Sequence, residues 1–143
     1  MSIVLNRDQQ VLYLIPTNLK GGIAKLIAGG RPDAGKTPEE TAIREVAEET
    51  GWRVKPIKMI GIRSFFHTEP RSPRTDRPYP HFIQPIYVVM AESFDPKAII
   101  PEDRIPAEFM DHAVVEERIV ENQRPLLRAA LDAVKSQAEQ QPI

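Results

Sequence analysis

One helix is closed at both ends by its own residues. From Thr37 the chain reads T-P-E-E-T-A-I-R-E-V-A-E-E-T-G-W. The Thr37 hydroxyl can cap the first turn, Pro38 fits the first helical position, where no N–H is needed, and Glu40 completes a capping box. Gly51 supplies the stop, because glycine enters the left-handed conformation that ends a helix without steric cost. Residues 38–50 are therefore predicted helical. At 100° per residue Ile43, Val46, Ala47 and Thr50 share one face, expected toward the core. Glu45, Glu48 and Glu49 are spaced i+3 and i+4, on a roughly opposite face. Such carboxylates repel one another by a few tenths of a kcal/mol per pair. Arg44, four before Glu48, can neutralise one of them. A divalent cation would neutralise the rest, and hard oxygen ligands are what Mg²⁺ takes. A plain solvated face is the ordinary reading of a glutamate-rich helix, but it leaves the Gly29-Gly30 turn before the helix unexplained.

Around this helix the chain reads as mixed. Ile3 to Leu5, a polar turn at Asn6-Arg7-Asp8, and Val11 to Ile15 suggest a hairpin. Ile23 to Ala28 leans to strand, and further strands are expected at Ile57–Phe66 and Phe82–Ala91. A last helix is expected from about Gln123 to Ala138, with Leu126, Leu127, Ala130, Leu131 and Val134 at helical spacing. Ala113 to Glu121 fits a short strand or a helical turn. Pro70, Pro73, Pro78, Pro80 and Pro85 mark a long loop that also carries Arg71, Arg74 and Arg77; Pro96, Pro101 and Pro106 mark a second. Strands and helices at unequal intervals indicate an α/β or α+β chain. No linker interrupts residues 1–143, which are expected to form a single domain.

Composition removes several function classes. The 143 residues are 41% apolar and 27% charged, ordinary for a folded domain. Lys plus Arg total 19 against 20 for Asp plus Glu, so a general nucleic-acid or anionic-membrane binder is disfavoured. There is no cysteine, which excludes disulfides, thiolate nucleophiles and thiolate metal sites. His67, His81 and His112 are too scattered for a histidine metal centre, leaving oxygen ligands. The longest apolar run, Ile86 to Ala91, is too short to span a bilayer. A cytoplasmic location is expected, with no nucleic-acid or membrane partner; a homodimer is left open.

Gly29 to Trp52 resembles the Nudix box: glycine, five residues, glutamate, seven residues, then Arg-Glu-apolar-any-Glu-Glu-any-Gly-apolar. Gly30, Arg44, Glu45, Val46, Glu48, Glu49, Gly51 and Trp52 fall in register, over about a sixth of the chain. The resemblance implies an α/β/α sandwich with a mixed sheet. It implies a hydrolase that cleaves the pyrophosphate of a nucleoside diphosphate linked to another moiety, with Mg²⁺ or Mn²⁺ and attacking water. It further implies that Glu45, Glu48 and Glu49 hold metal, that Glu45 or a later glutamate helps deprotonate water, that Arg44 orients Glu48 or Glu49, and that the Gly29 carbonyl completes the coordination. Lys36 stands where the box has its first glutamate. That departure bears on metal number and rate, and it supports a weakened or non-catalytic nucleotide-binding member as the alternative.

Lys36 also completes a P-loop match, Gly30-Arg-Pro-Asp-Ala-Gly35-Lys36-Thr37. Pro38 weighs against it by removing an N–H from the start of the helix. No later strand ends in a suitable aspartate, and a P-loop leaves the three glutamates unexplained. Outside the box, Arg71, Arg74 and Arg77 are candidates for phosphate contacts. Tyr79 and His81, with Phe82, are candidates for stacking on a base, and His67 for a substrate contact. Glu92, Glu102, Asp103 and Glu108 are all in order along the chain to supply a further acidic group. Trp52 is expected in the core.

Overall fold

A computed structural model describes residues 1–15, 27–28, 35–66, 81–119 and 121–139. The strands are β1 (Ser2–Leu5), β2 (Gln10–Leu14), β3 (Ile27–Ala28), β4 (Trp52–Phe66), β5 (His81–Phe94) and β6 (Ala107–Asp111). The helices are α1 (Pro38–Thr50), α2 (His112–Arg118) and α3 (Arg124–Glu139), with 3₁₀ turns at Pro96–Ala98 and Glu121–Gln123. Among the described residues the strands form one sheet in the order β4-β5-β1-β2-β6, with β3 also on β1. β1 runs parallel to β5, Ser2 opposite Tyr87, whereas the other pairings are antiparallel. The sheet is therefore mixed.

Alternation along the strands divides the core in two. Ile3, Leu5, Val11, Tyr13 and Val88 pack with Val115, Ile119, Leu127 and Ala130 from the α2 and α3 side. Val4, Leu12, Leu14, Val54, Tyr87 and Val89 pack with Ala42 and Val46 of α1. Both faces are covered, which is why β1 and most of β2 are buried at every position. The result is the expected α/β/α arrangement.

The ends of α1 form as expected. Thr37 Oγ1 accepts from the Glu40 N–H at 3.1 Å, Pro38 opens the helix, and Gly51 sits at φ 82° with its N–H on the Ala47 carbonyl at 2.8 Å. The hairpin turn is held by Asn6 Oδ1, which accepts from the Asp8 and Gln10 N–H groups. The ambiguous stretch after Ala113 resolves as α2, capped by Asp111.

Other expectations are corrected. β4 begins at Trp52 rather than Ile57, and it tolerates Pro56 because the register shifts there. β5 extends from His81 to Phe94, beyond the expected Phe82–Ala91, and Pro85, counted with the proline loop, lies inside the strand. Alternation points the ring nitrogen of Pro85 to the same side as the Tyr87 N–H, which donates to the Met1 carbonyl. β1 begins only at Ser2, so no ladder bond is lost. β6 was not anticipated: its five residues A-E-F-M-D carry two charges and read as loop. Trp52 packs against the α1-side core as expected but is half-buried, with Phe94 and Phe109 ring centroids 5.4 and 5.0 Å away.

Candidate active site

Glu45, Glu48 and Glu49 do not form a solvated face. Glu49 is only 8% exposed, and the side chains of Glu45 and Glu48 are 16% and 19% exposed. Val46 and Thr50 are buried, as expected, while Ile43 and Ala47 are only partly covered and line the outer side of the helix. The apolar stripe is thus rotated toward Ala42 and Val46, and the carboxylates lie along its flank.

Arg44 organises this flank. Its Nη1 donates to Glu48 Oε2 at 2.7 Å and its Nη2 to Glu45 Oε1 at 3.1 Å. A planar guanidinium can hold two carboxylates in this way, where an ammonium could not with the same fixed geometry. Burial pushes the Glu45 carboxyl above its ordinary range; Arg44 opposes that, and Glu48 and Asp103 add to it. The amino group of Met1, which donates to the Pro85 carbonyl at 3.2 Å, is drawn down by burial and up by Glu45 and Glu49. β1 therefore starts beside the carboxylates, a placement that only the β1–β5 register reveals.

The second wall is the loop of residues 95–106. The Ile100 N–H donates to the Glu48 carbonyl and the Ile105 N–H to the Glu49 carbonyl, each at 2.9 Å; the Asp95 N–H donates to the Gly51 carbonyl at 2.7 Å. These are the carbonyls that a helix end leaves without intrahelical partners. The loop is bonded to the backbone of the residues whose side chains form the flank. Of the four later acidic candidates, Asp103 is the one whose charge acts on Glu45. All four are exposed, Asp103 included, and Glu108 lies within β6, opposite Tyr13.

Gly29, Gly30, His67, Arg71, Arg74, Arg77 and Tyr79 lie outside the described residues, as does the side chain of His81, whose backbone pairs with Phe66. Lys36 is exposed, and the Thr37 hydroxyl is committed to the helix cap, not offered to a phosphate. With a mainly antiparallel sheet, this counts against the P-loop. A groove of about 520 Å³ lies on the outer side of α1, lined by Ile43, Ala47, Val54 and Ala98 with Glu40, Arg44, Glu48 and Arg53. Only Glu48 of the three glutamates reaches it. Among the described residues no three acidic or imidazole side chains already converge as a metal cage.

Among known proteins the chain is 40% identical over 60 residues to a Bacillus subtilis (strain 168) protein whose 8-oxo-dGTP diphosphatase name is itself provisional. It is 29% identical over 110 residues to the ADP-ribose pyrophosphatase of Methanocaldococcus jannaschii. These matches cover 42% and 76% of this chain, but only 38% and 58% of the relatives' lengths. A solved NUDIX hydrolase from Nitrosomonas europaea superposes with a TM-score of 0.61 at 17% identity, over 94% of this chain and 88% of that one. At that identity the likeness concerns the fold. The NUDIX domain model matches residues 1–130, which include every described strand, α1 with its three glutamates and the loop that carries Asp103: the chain belongs to the NUDIX domain family.

Proposed function

We propose that this chain is a metal-dependent pyrophosphohydrolase acting on a nucleoside diphosphate linked to another moiety. One observation carries the reading: three glutamates share a part-buried flank of α1, and a single arginine bridges two of them. Their donor chemistry fits Mg²⁺ or Mn²⁺, since every available ligand is a hard oxygen and burial leaves Glu45 short of compensating charge. A cation would gather Glu45, Glu48 and Glu49 by side-chain rotation, as they do not already converge. Bound there, it supplies neutralisation of pyrophosphate charge and a bound water of lowered pKa.

The chain's own residues do the rest. Arg44 keeps Glu45 and Glu48 on one edge, so neither carboxylate swings into solvent. Asp103, on a loop bonded to α1 and with its charge acting on Glu45, is assigned the proton taken from water. The Gly29 carbonyl is assigned to the metal. Arg71, Arg74, Arg77, Tyr79 and His81 are assigned to phosphate and base contacts. The names of the two relatives support ADP-ribose and 8-oxo-dGTP as the first substrates to try, and the cysteine-free composition supports a cytoplasmic setting.

The test is a panel of nucleoside diphosphate derivatives, those two included, with Mg²⁺ or Mn²⁺ and detection of released phosphate or monophosphate. Cleavage of at least one, abolished by chelation, is expected. A parent that binds nucleotide but cleaves none favours the non-catalytic reading suggested by Lys36.

A further inference from the structure

Two buried hydroxyls, one on β1 and one on α1, make no hydrogen bond among the described residues. Ser2 in β1 is fully buried and Thr41 in α1 is 2% exposed. Neither Ser2 Oγ nor Thr41 Oγ1 has a hydrogen-bond partner among the described residues. Desolvated hydroxyls are seldom left so, and internal water is the usual remedy. Thr41 also declines an available solution. Thr50, on the same helix, satisfies its hydroxyl on the Val46 carbonyl one turn back at 2.6 Å. Thr41 has the Thr37 carbonyl in the equivalent place and leaves it to its own N–H alone.

Strand alternation and helical spacing direct both hydroxyls toward the seam between β1 and α1. Alternation puts Ser2 on the same sheet face as Val4, which packs with Ala42 and Val46 of α1. Thr41 precedes Glu45 by one turn and Glu48 by two, on the same flank, where side chains four apart are neighbours. Met1, adjacent to Ser2, carries an amino group that senses Glu45 and Glu49. The seam between α1 and β1 is thus polar at the inner end of the flank and apolar elsewhere.

We propose that Ser2 and Thr41 hold an internal water at the inner end of the carboxylate flank, and that through this water Thr41 is a positioning residue for Glu45. The water accepts from one hydroxyl, donates to the other, and donates its second proton to the Glu45 carboxylate. That gives three partners, the usual number for a buried water. Arg44 holds Glu45 from one side; the water holds it from the other and sets the direction in which the carboxylate meets a cation. Partners of this kind behind a metal ligand typically govern affinity by ten- to hundredfold. The proposal rests on Glu45 being a metal ligand, as argued under the proposed function.

Mn²⁺ binding without substrate, read from the electron paramagnetic resonance of the free ion, tests it on the parent, Thr41→Val, Thr41→Ser and Ser2→Ala. Thermal midpoints in metal-free buffer accompany each variant. Thr41→Val is expected to weaken Mn²⁺ binding about tenfold without a rise in midpoint. Thr41→Ser should restore most of the affinity, and Ser2→Ala should weaken it in the same direction. Parent-like affinity in Thr41→Val overturns the proposal, as does a higher midpoint, which an orphan hydroxyl replaced by a methyl group would produce. If Thr41→Val does not fold, Ser2→Ala decides: unchanged affinity there overturns the proposal. A parent that binds no Mn²⁺ removes the metal site itself and the proposal with it, an outcome separate from a binding parent with indifferent variants.

Discussion

Glu45 and Glu49 both lie on the flank of α1, Glu49 the more deeply buried. Glu45 has its carboxyl raised from an ordinary value of 4.5, burial being the largest cause. A raised carboxyl binds its proton more tightly in the folded chain, so its contribution favours folding below 4.5 and is lost as pH climbs through the raised value. Metal-free Glu45→Gln should therefore melt above the parent at neutral pH, and the gap should close as the pH is taken below 4.5. Thermal melts across pH, with chelator present, measure both. Glu49→Gln removes a proposed ligand and is expected to lower turnover at least about a hundredfold, beyond what groups behind a ligand usually cost. Lys36 is exposed and sits outside the flank, so Lys36→Glu should leave turnover intact or raise it. Loss of activity in Lys36→Glu with a mild Glu49→Gln would reverse the assignment of the site. At this scale the sequence already exposed Arg44 and the glutamates, because helical spacing alone decides which side chains are neighbours. It did not expose which side was buried, since that depends on how far α1 is rolled on the sheet, nor did it single out Asp103, which depends on a loop fold.

The helix α1 was legible as an element because cap, first-turn proline and stop glycine are local chemistry. β6 and the first residues of β4 were not, because their pairing comes from partners distant in sequence: β6 adds to β2, and Trp52 lies opposite Phe94. Pro56 and Pro85 sit within β4 and β5, where a proline's cost depends on which edge of the strand its nitrogen faces. The stop glycine is tightly specified. A Cβ on Gly51 would lie 2.7 Å from Phe94 Cε2 and 3.1 Å from two Ile99 carbons, at a backbone φ of 82°. Gly51→Ala should destabilise by about 1–2 kcal/mol from the left-handed backbone alone, and by more from Phe94. Urea unfolding reads the loss. β4, at one end of the described sheet, is broken by three register shifts and carries Lys55, Pro56 and Lys58, devices that discourage another strand from adding to it.

For the whole molecule, the mixed sheet and two-sided core were foreseeable only in outline; the parallel β1–β5 pairing that brings Met1 to the carboxylates follows from register, which no local pattern encodes. A cation that binds only the folded chain should stabilise it by about 2.7 kcal/mol at a hundredfold excess over its dissociation constant, so the thermal midpoint should rise with Mn²⁺ and fall back on chelation. An unmoved midpoint would count against the site. The amides of Ile100 and Ile105 bear on how such a molecule opens. They belong to a surface loop, where exchange with deuterated solvent is ordinarily fast, yet each is bonded to the last turn of α1. Neither amide can be freed unless the loop peels from the helix end, so both should exchange at one shared slow rate while Arg104, exposed between them, exchanges quickly. Helix end and loop then open as one cooperative unit, and each opening separates Asp103 from Glu45.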